Sequence, residues 1–71
     1  MTPLTTRQAE TLEAIRRLSA GGIAPTYAEI RTAIGCRWSS SMQKLIAALV
    51  RRGAITMVPA KSRSIRIVEG W

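Results

Sequence analysis

Glycines that close helical segments divide this 71-residue chain and constrain its fold more than any other feature. The first segment begins at Thr5-Thr-Arg-Gln8, where a threonine hydroxyl and a glutamine side chain can satisfy the unpaired amides of a helix start. Gly21 and Gly22 follow the segment, and glycine readily adopts the left-handed conformation that ends a helix. A helix is therefore predicted over about residues 6–20. Its apolar face consists of Ala9, Leu12, Ile15 and Leu18.

A second and a third helix follow after short connections. Thr26 and Glu29 have the spacing of a capping box, which predicts a helix over residues 27–34. Gly35 ends this helix, and the connection to the next one is tight. The third helix is predicted over about residues 39–52.

The third helix has two distinct faces. Its start falls within the serine run 39–41, and Ser40 with Gln43 has the spacing of another capping box. Its apolar stripe consists of Met42, Leu45, Ile46, Leu49 and Val50. The opposite face carries Ser40, Ser41, Lys44, Ala47 and Arg51, with Gln43 near its border.

The last part of the chain favours a strand pair. Residues 55–58 and 64–68 are rich in β-branched side chains, and a short basic loop over residues 59–63 separates them. The whole sequence therefore predicts one α+β domain, mostly α, over residues 1–71. Its architecture is a three-helix winged helix-turn-helix with a two-stranded antiparallel wing. The predicted core consists of Leu12, Ile15, Ile30, Ile34, Ile46, Leu49, Ile55, Ile65 and Ile67.

Positive charge is concentrated where the third helix and the wing should lie. Residues 1–30 carry three arginines and three glutamates, whereas residues 31–71 carry eight Lys or Arg and only Glu69. The net charge of +7 therefore belongs to the second part of the chain. A polyanion partner is indicated, nucleic acid before an anionic membrane.

The residue inventory argues against an enzyme. Histidine is absent, Cys36 is the single cysteine, and four acidic residues leave no catalytic triad, metal site or cofactor site in prospect. We interpret Cys36 as a small hydrophobe in the turn rather than a redox switch, in a reducing compartment. The longest apolar run, residues 45–50, is far shorter than the roughly 18 residues of a membrane span, so a cytoplasmic protein is expected.

The exposed face of the third helix supplies the candidate DNA-reading residues. In a helix-turn-helix, the N-terminal part of the second helix of the pair contacts base edges. Gln43 can pair with adenine, and Lys44 can reach guanine or a phosphate. Trp38 can pack under the turn with a partly exposed edge, which we favour, or lie against sugar and thymine methyl groups. Arg51 can either stabilise the helix end or contact DNA.

Several motifs in register resemble the N-terminal DNA-binding domain of the LexA-type SOS repressors. They are residues 4–8, 25–30, 34–35, 49–55 and 62–67. The resemblance implies a winged helix-turn-helix that represses transcription from palindromic operators, with double-stranded DNA as partner. It places base readout on Ser40, Ser41, Gln43 and Lys44. Backbone or groove contacts are expected at Arg7, Thr26, Tyr27, Arg37, Trp38, Arg51, Lys61, Ser62 and Arg63.

The chain departs from the family pattern at two points. Positions 43 and 44 are typically acidic in the repressors, and their third helix begins with a proline-asparagine pair. We therefore expect a different operator. The repressors also carry a C-terminal self-cleaving domain that supplies the dimer interface. If this chain is complete, it is a stand-alone domain without self-cleavage, and a homodimer would have to form by other contacts or on the DNA.

Two other functions remain open at this point. A winged helix can bind protein, so the chain could engage a repressor or the transcription apparatus. A non-specific nucleic-acid binder is the other alternative. A protein-binding version should expose apolar residues on the third helix, whereas this helix offers Ser, Gln, Lys and Arg.

Overall fold

A computed structural model describes residues 4–71, which form three helices and one two-stranded sheet. The helices are α1 (Thr6–Leu18), α2 (Tyr27–Ile34) and α3 (Ser39–Arg51), and the strands are β1 (Ile55–Thr56) and β2 (Arg66–Ile67). The strands pair antiparallel, with Ile55 opposite Ile67 and Thr56 opposite Arg66. The predicted α+β winged helix-turn-helix is confirmed. Residues 1–3 of the predicted domain lie outside the described residues.

Two of the predicted capping boxes start helices as expected. The Thr5 hydroxyl accepts a hydrogen bond from the Gln8 amide at 3.2 Å, and the Gln8 side chain accepts one from the Thr5 amide at 3.1 Å. Thr26 and Glu29 make the equivalent pair of bonds at the start of α2. Gly35 ends α2 with a φ of +69°, a conformation that side-chain-bearing residues rarely adopt.

The third capping box was a wrong prediction. Trp38 is the N-terminal cap of α3 and no side-chain hydrogen bond caps this helix, so Ser40 already lies within the first turn. The end of α3 at Arg51 comes one residue earlier than predicted. Similarly, α1 ends at Leu18 rather than residue 20, because the Ala20 amide turns back to the Arg17 carbonyl at 3.3 Å.

The strands are shorter than the predicted segments 55–58 and 64–68. The Ser64 hydroxyl accepts the Val58 amide at 3.0 Å, so this amide is not available to a cross-strand carbonyl. The same hydroxyl lies 2.9 Å from the Lys61 carbonyl, to which it can donate. The side chain of Ser64 thus replaces ladder bonds and closes the wing loop.

The core lies between the three helices and the hairpin. Seven of the nine predicted core residues are buried, while Ile34 and Ile67 are partly buried against the same cluster. Met42 and Ala54 complete the cluster. Trp71 packs on it. The predicted apolar faces of α1 and α3 included too many residues, because Leu18 and Val50 are 38% and 39% exposed and Ala9 is also exposed.

Within residues 4–71, no helix is both long and apolar enough to cross a membrane.

Candidate nucleic-acid interface

The α3 helix presents a polar face to solvent because its apolar residues fix its rotation. Met42, Ile46 and Leu49 are at most 1% exposed, and they hold one face of α3 against the core. The opposite face is exposed at every predicted position that the structure describes. These positions are Ser40, Ser41, Gln43, Lys44, Ala47 and Arg51. The predicted line of polar and basic side chains along α3 therefore lies free of the core.

The turn between α2 and α3 is held by local hydrogen bonds. The Cys36 amide donates to the Arg31 carbonyl at 3.0 Å, and the Cys36 thiol lies 3.3 Å from the Trp38 carbonyl. Cys36 is also partly buried against the core. Its role in the turn agrees with the interpretation of this residue as a small hydrophobe. The turn fixes where α3 begins relative to α2.

A groove of about 580 Å³ joins the start of α1 to the exposed face of α3. Five predicted site residues line it together: Arg7, Arg37, Trp38, Ser41 and Lys44. Three of these are cations, so the groove has the charge that a phosphate backbone requires. Leu45 and Ala48 form part of its apolar lining.

Trp38 is more exposed than predicted. We favour packing of its indole under the turn with a partly exposed edge, but 68% of the residue is exposed, which is more than an edge. The backbone explains this outcome, since Trp38 has an extended conformation at the N-terminal cap of α3. The packing interpretation is wrong, and the indole lies open beside the start of α3.

The side chains of Thr26 and Tyr27, at the start of α2, make contacts within the fold. The Thr26 hydroxyl accepts the Glu29 amide at 3.1 Å. The Tyr27 hydroxyl lies 3.4 Å from the Met57 sulfur, and burial raises the pKa of Tyr27. Both residues line a cleft of about 460 Å³ with the wing residues 60–64. Tyr27 also lies beside Gln43 in a smaller depression, and so connects the wing side of the surface to α3.

The wing contains an ion pair that the sequence did not reveal. The Arg63 guanidinium donates to both carboxylate oxygens of Glu29, at 3.1 and 3.3 Å. The amide of Thr26 first, and the Arg63 guanidinium second, lower the pKa of Glu29 below its ordinary value of 4.5. Lys61 and Ser62 are exposed in the same loop. No sequence pattern marks a pair whose members lie 34 residues apart.

Arg51 lies outside the groove, in the last turn of α3, and is exposed.

Among residues 4–71, no group of three His, Cys, Asp or Glu side chains is placed to hold a metal ion. The surface therefore offers cations, hydroxyls and an amide for binding.

The fold and this exposed basic surface define a winged helix-turn-helix DNA-binding domain. The model of the LexA DNA binding domain matches residues 1–64, and the chain belongs to this family. The description of this family is that of a DNA-binding domain, as the exposed basic surface indicates.

Curated relatives of high similarity are LexA repressors. The chain is 46% identical over 69 residues to the LexA repressor of Idiomarina loihiensis, which covers 96% of this chain and 34% of the relative. The LexA repressors of Shewanella piezotolerans and Haemophilus influenzae are each 41% identical over 70 residues, covering 97% of this chain and 34% of theirs. The chain thus spans about a third of the length of the curated relatives it matches.

Proposed function

We propose that this chain is a sequence-specific regulator of transcription, and more narrowly a repressor, which places α3 in the major groove of double-stranded DNA. The observation that carries the proposal is the exposed polar face of α3, opposite the buried Met42, Ile46 and Leu49. A helix of this kind, following a tight turn, is the element that reads base edges in helix-turn-helix proteins. The names of the curated relatives support repression.

Base readout is assigned to the first turns of α3. Gln43 offers an amide that can bond adenine in two places, and Lys44 offers a cation for guanine O6 and N7. Ser40 and Ser41 add hydroxyls that can donate or accept. All four residues are exposed, so none must leave the core to meet DNA.

Backbone contacts are assigned around these readers. Arg37 and Trp38 precede α3, and Lys61 and Ser62 lie at the exposed part of the wing. Arg51 offers a further cation at the end of α3. The remaining assigned contacts are Arg7, Thr26, Tyr27 and Arg63, whose side chains also make hydrogen bonds within the protein.

Two copies on a palindromic site are the arrangement we propose for the bound state. Each copy would contribute one α3 to one half-site, and half-sites one helical turn apart place both helices on the same side of the duplex. With DNA as its partner, we propose that the protein acts in the cytoplasm of a bacterial cell, as a protein of the bacterial nucleoid or as one encoded by a phage.

The exposure of Trp38 favours a second candidate, binding of a repressor or of the transcription apparatus. Its indole lies beside Leu45 and Ala48 in the α3 groove. Exposed tryptophans are frequent anchors of protein interfaces. The basic residues around the same groove fit DNA better than an apolar partner surface, so DNA remains the first proposal.

Selection of bound duplexes from random DNA at physiological salt tests the proposal. We expect one enriched motif for the parent protein. Gln43→Ala should relax the preference at one base position by about 1–3 kcal/mol and leave the other positions unchanged. Binding without any enriched motif would support a non-specific binder, and no binding would favour the protein-partner function.

A further inference from the structure

Arg63 ties the wing loop to the start of α2. One terminal nitrogen of its guanidinium donates to Glu29 Oε1 and to the Ala24 carbonyl, both at 3.1 Å. The other donates to Glu29 Oε2 at 3.3 Å. A guanidinium that meets both oxygens of a carboxylate is fixed in orientation as well as in place. We call the Glu29–Arg63 pair with the Ala24 carbonyl the wing latch.

The Glu29 carboxylate takes part in both the wing latch and the capping box at the start of α2. Its Oε1 atom accepts the Thr26 amide at 2.8 Å in the capping box of α2. The carboxylate therefore connects the first turn of α2 directly to the wing. In a helix-turn-helix, the first helix of the pair crosses the DNA backbone. The latch thus joins two parts of the surface that would meet DNA together.

The wing loop has a backbone that needs such support. Ala60 and Arg63 have φ values of +64° and +56°, in the left-handed region that is unfavourable for residues with a side chain. Such conformations persist where surrounding contacts determine them. The Ser64 hydroxyl bonds and the latch are contacts of this kind.

We propose that Glu29 and Arg63 are positioning residues, which set the wing so that Lys61 and Ser62 reach the duplex while α3 occupies the major groove. This inference rests on the proposed DNA-binding function and changes the role of one residue within it. Arg63 acts through the wing rather than as a phosphate contact of its own. Arg63 and Lys61 are both exposed, but the Arg63 guanidinium already has three acceptor atoms within the protein.

Two conservative variants distinguish a positioning role of Glu29 and Arg63 from an effect of their charge on DNA affinity. Glu29→Gln keeps the capping box, because glutamine can accept the Thr26 amide, and it makes the protein more positive. If charge alone mattered, this variant would bind DNA more tightly. Arg63→Lys keeps the charge but cannot form the two-pronged contact.

The dissociation constant is measured on the duplex that the parent protein selects, at one salt concentration and well below the melting temperature. We expect both variants to bind about 3- to 30-fold more weakly than the parent. In a Lys61→Ala background, Arg63→Lys should weaken binding little further, because the charged contact of the wing is already lost. Glu13→Gln is the matched control, since it removes the 3.4 Å ion pair with Arg16 inside α1 and should not weaken binding.

Glu29→Gln binding as tightly as the parent or more tightly would overturn the proposal. Additive losses of affinity for Lys61→Ala and Arg63→Lys would also overturn it, because they would mean that Arg63 contacts phosphate itself.

Hydrogen exchange of the Lys61 amide, which donates to the Val58 carbonyl at 3.2 Å, tests the latch without DNA. Both latch variants should accelerate this exchange. Unchanged exchange would overturn the latch, whereas a parent that binds no duplex would overturn the DNA-binding function.

Discussion

The guanidinium of Arg7 lies 3.0 Å from the carbonyl oxygen of Ile34, so a residue in the first turn of α1 caps the last turn of α2. The same nitrogen lies 3.3 Å from Glu10. A cation at a helix C-terminus satisfies an unpaired carbonyl and opposes the negative end of the helix dipole. Arg7 therefore orients the two helices that precede the turn to α3.

Replacing Arg7 by Ala should lower the free energy of unfolding by about 0.5–1.5 kcal/mol, since a partly exposed hydrogen bond from a charged group is lost. Urea denaturation measures this change. Arg17→Ala is the control, because Arg17 is exposed on the same helix. Equal effects of the two variants would show that the bond to Ile34 contributes nothing specific.

Leu49 and Val50 are neighbours on α3 with opposite environments, 0% and 39% exposed. Leu49→Ala should cost about 2–5 kcal/mol, because it leaves a cavity in the core. A chain of this size has only marginal stability, so this variant can be largely unfolded at 37 °C. Val50→Ala should cost less than about 1 kcal/mol. Thermal melting followed by circular dichroism compares them, and similar melting temperatures would contradict the placement of α3.

The stability should depend on pH through Glu29. The pKa of this carboxyl is lowered in the folded protein, so the folded state favours the ionised form. Its stabilisation is therefore fully present above the ordinary pKa of 4.5 and is lost as the pH falls through the lower, folded-state value. Urea denaturation between pH 7 and pH 3 should show a smaller loss of stability for Glu29→Gln than for the parent. An identical loss in both would contradict the role of the ionised carboxylate.

Lys61 should account for one phosphate contact. Each neutralised phosphate contributes about −0.9 to the slope of log K against log salt concentration. Lys61→Ala should therefore make the slope less negative by about 0.9 and weaken binding to all duplexes alike. Titrations at several salt concentrations measure the slope. Losses that differ strongly between sequences would mean that the wing reads bases or DNA shape.

Local chemistry explains how much of the fold could be predicted from sequence. The capping boxes at Thr5 and Thr26 and the turn at Gly35 depend on residues three or fewer positions apart, and all are confirmed. The capping box at Ser40 failed although Ser40 and Gln43 have the right spacing, because α3 begins earlier, with Trp38 as its cap. The position of α3 depends on the packing of Met42, Ile46 and Leu49, which a local pattern does not contain.

The candidate site was less predictable, because parts of it depend on contacts between distant residues. The polar face of α3 follows from helical periodicity, and its exposure is confirmed at the residues from Ser40 to Arg51 that were named for it. The Glu29–Arg63 pair joins segments 34 residues apart, and the exposure of Trp38 depends on its extended backbone at the cap of α3. Neither has a local sequence signal.

The most direct test of the account is the affinity of Lys44→Glu for the duplex that the parent protein selects. The variant places a negative charge on the exposed face of α3 without touching the core, so its melting temperature should match that of the parent. Arg17→Glu makes the same change in net charge on α1, where Arg17 lies beside Glu13 and Ala33. We predict that Lys44→Glu abolishes specific binding while Arg17→Glu retains it. If Lys44→Glu binds this duplex as tightly as Arg17→Glu does, α3 is not the recognition helix.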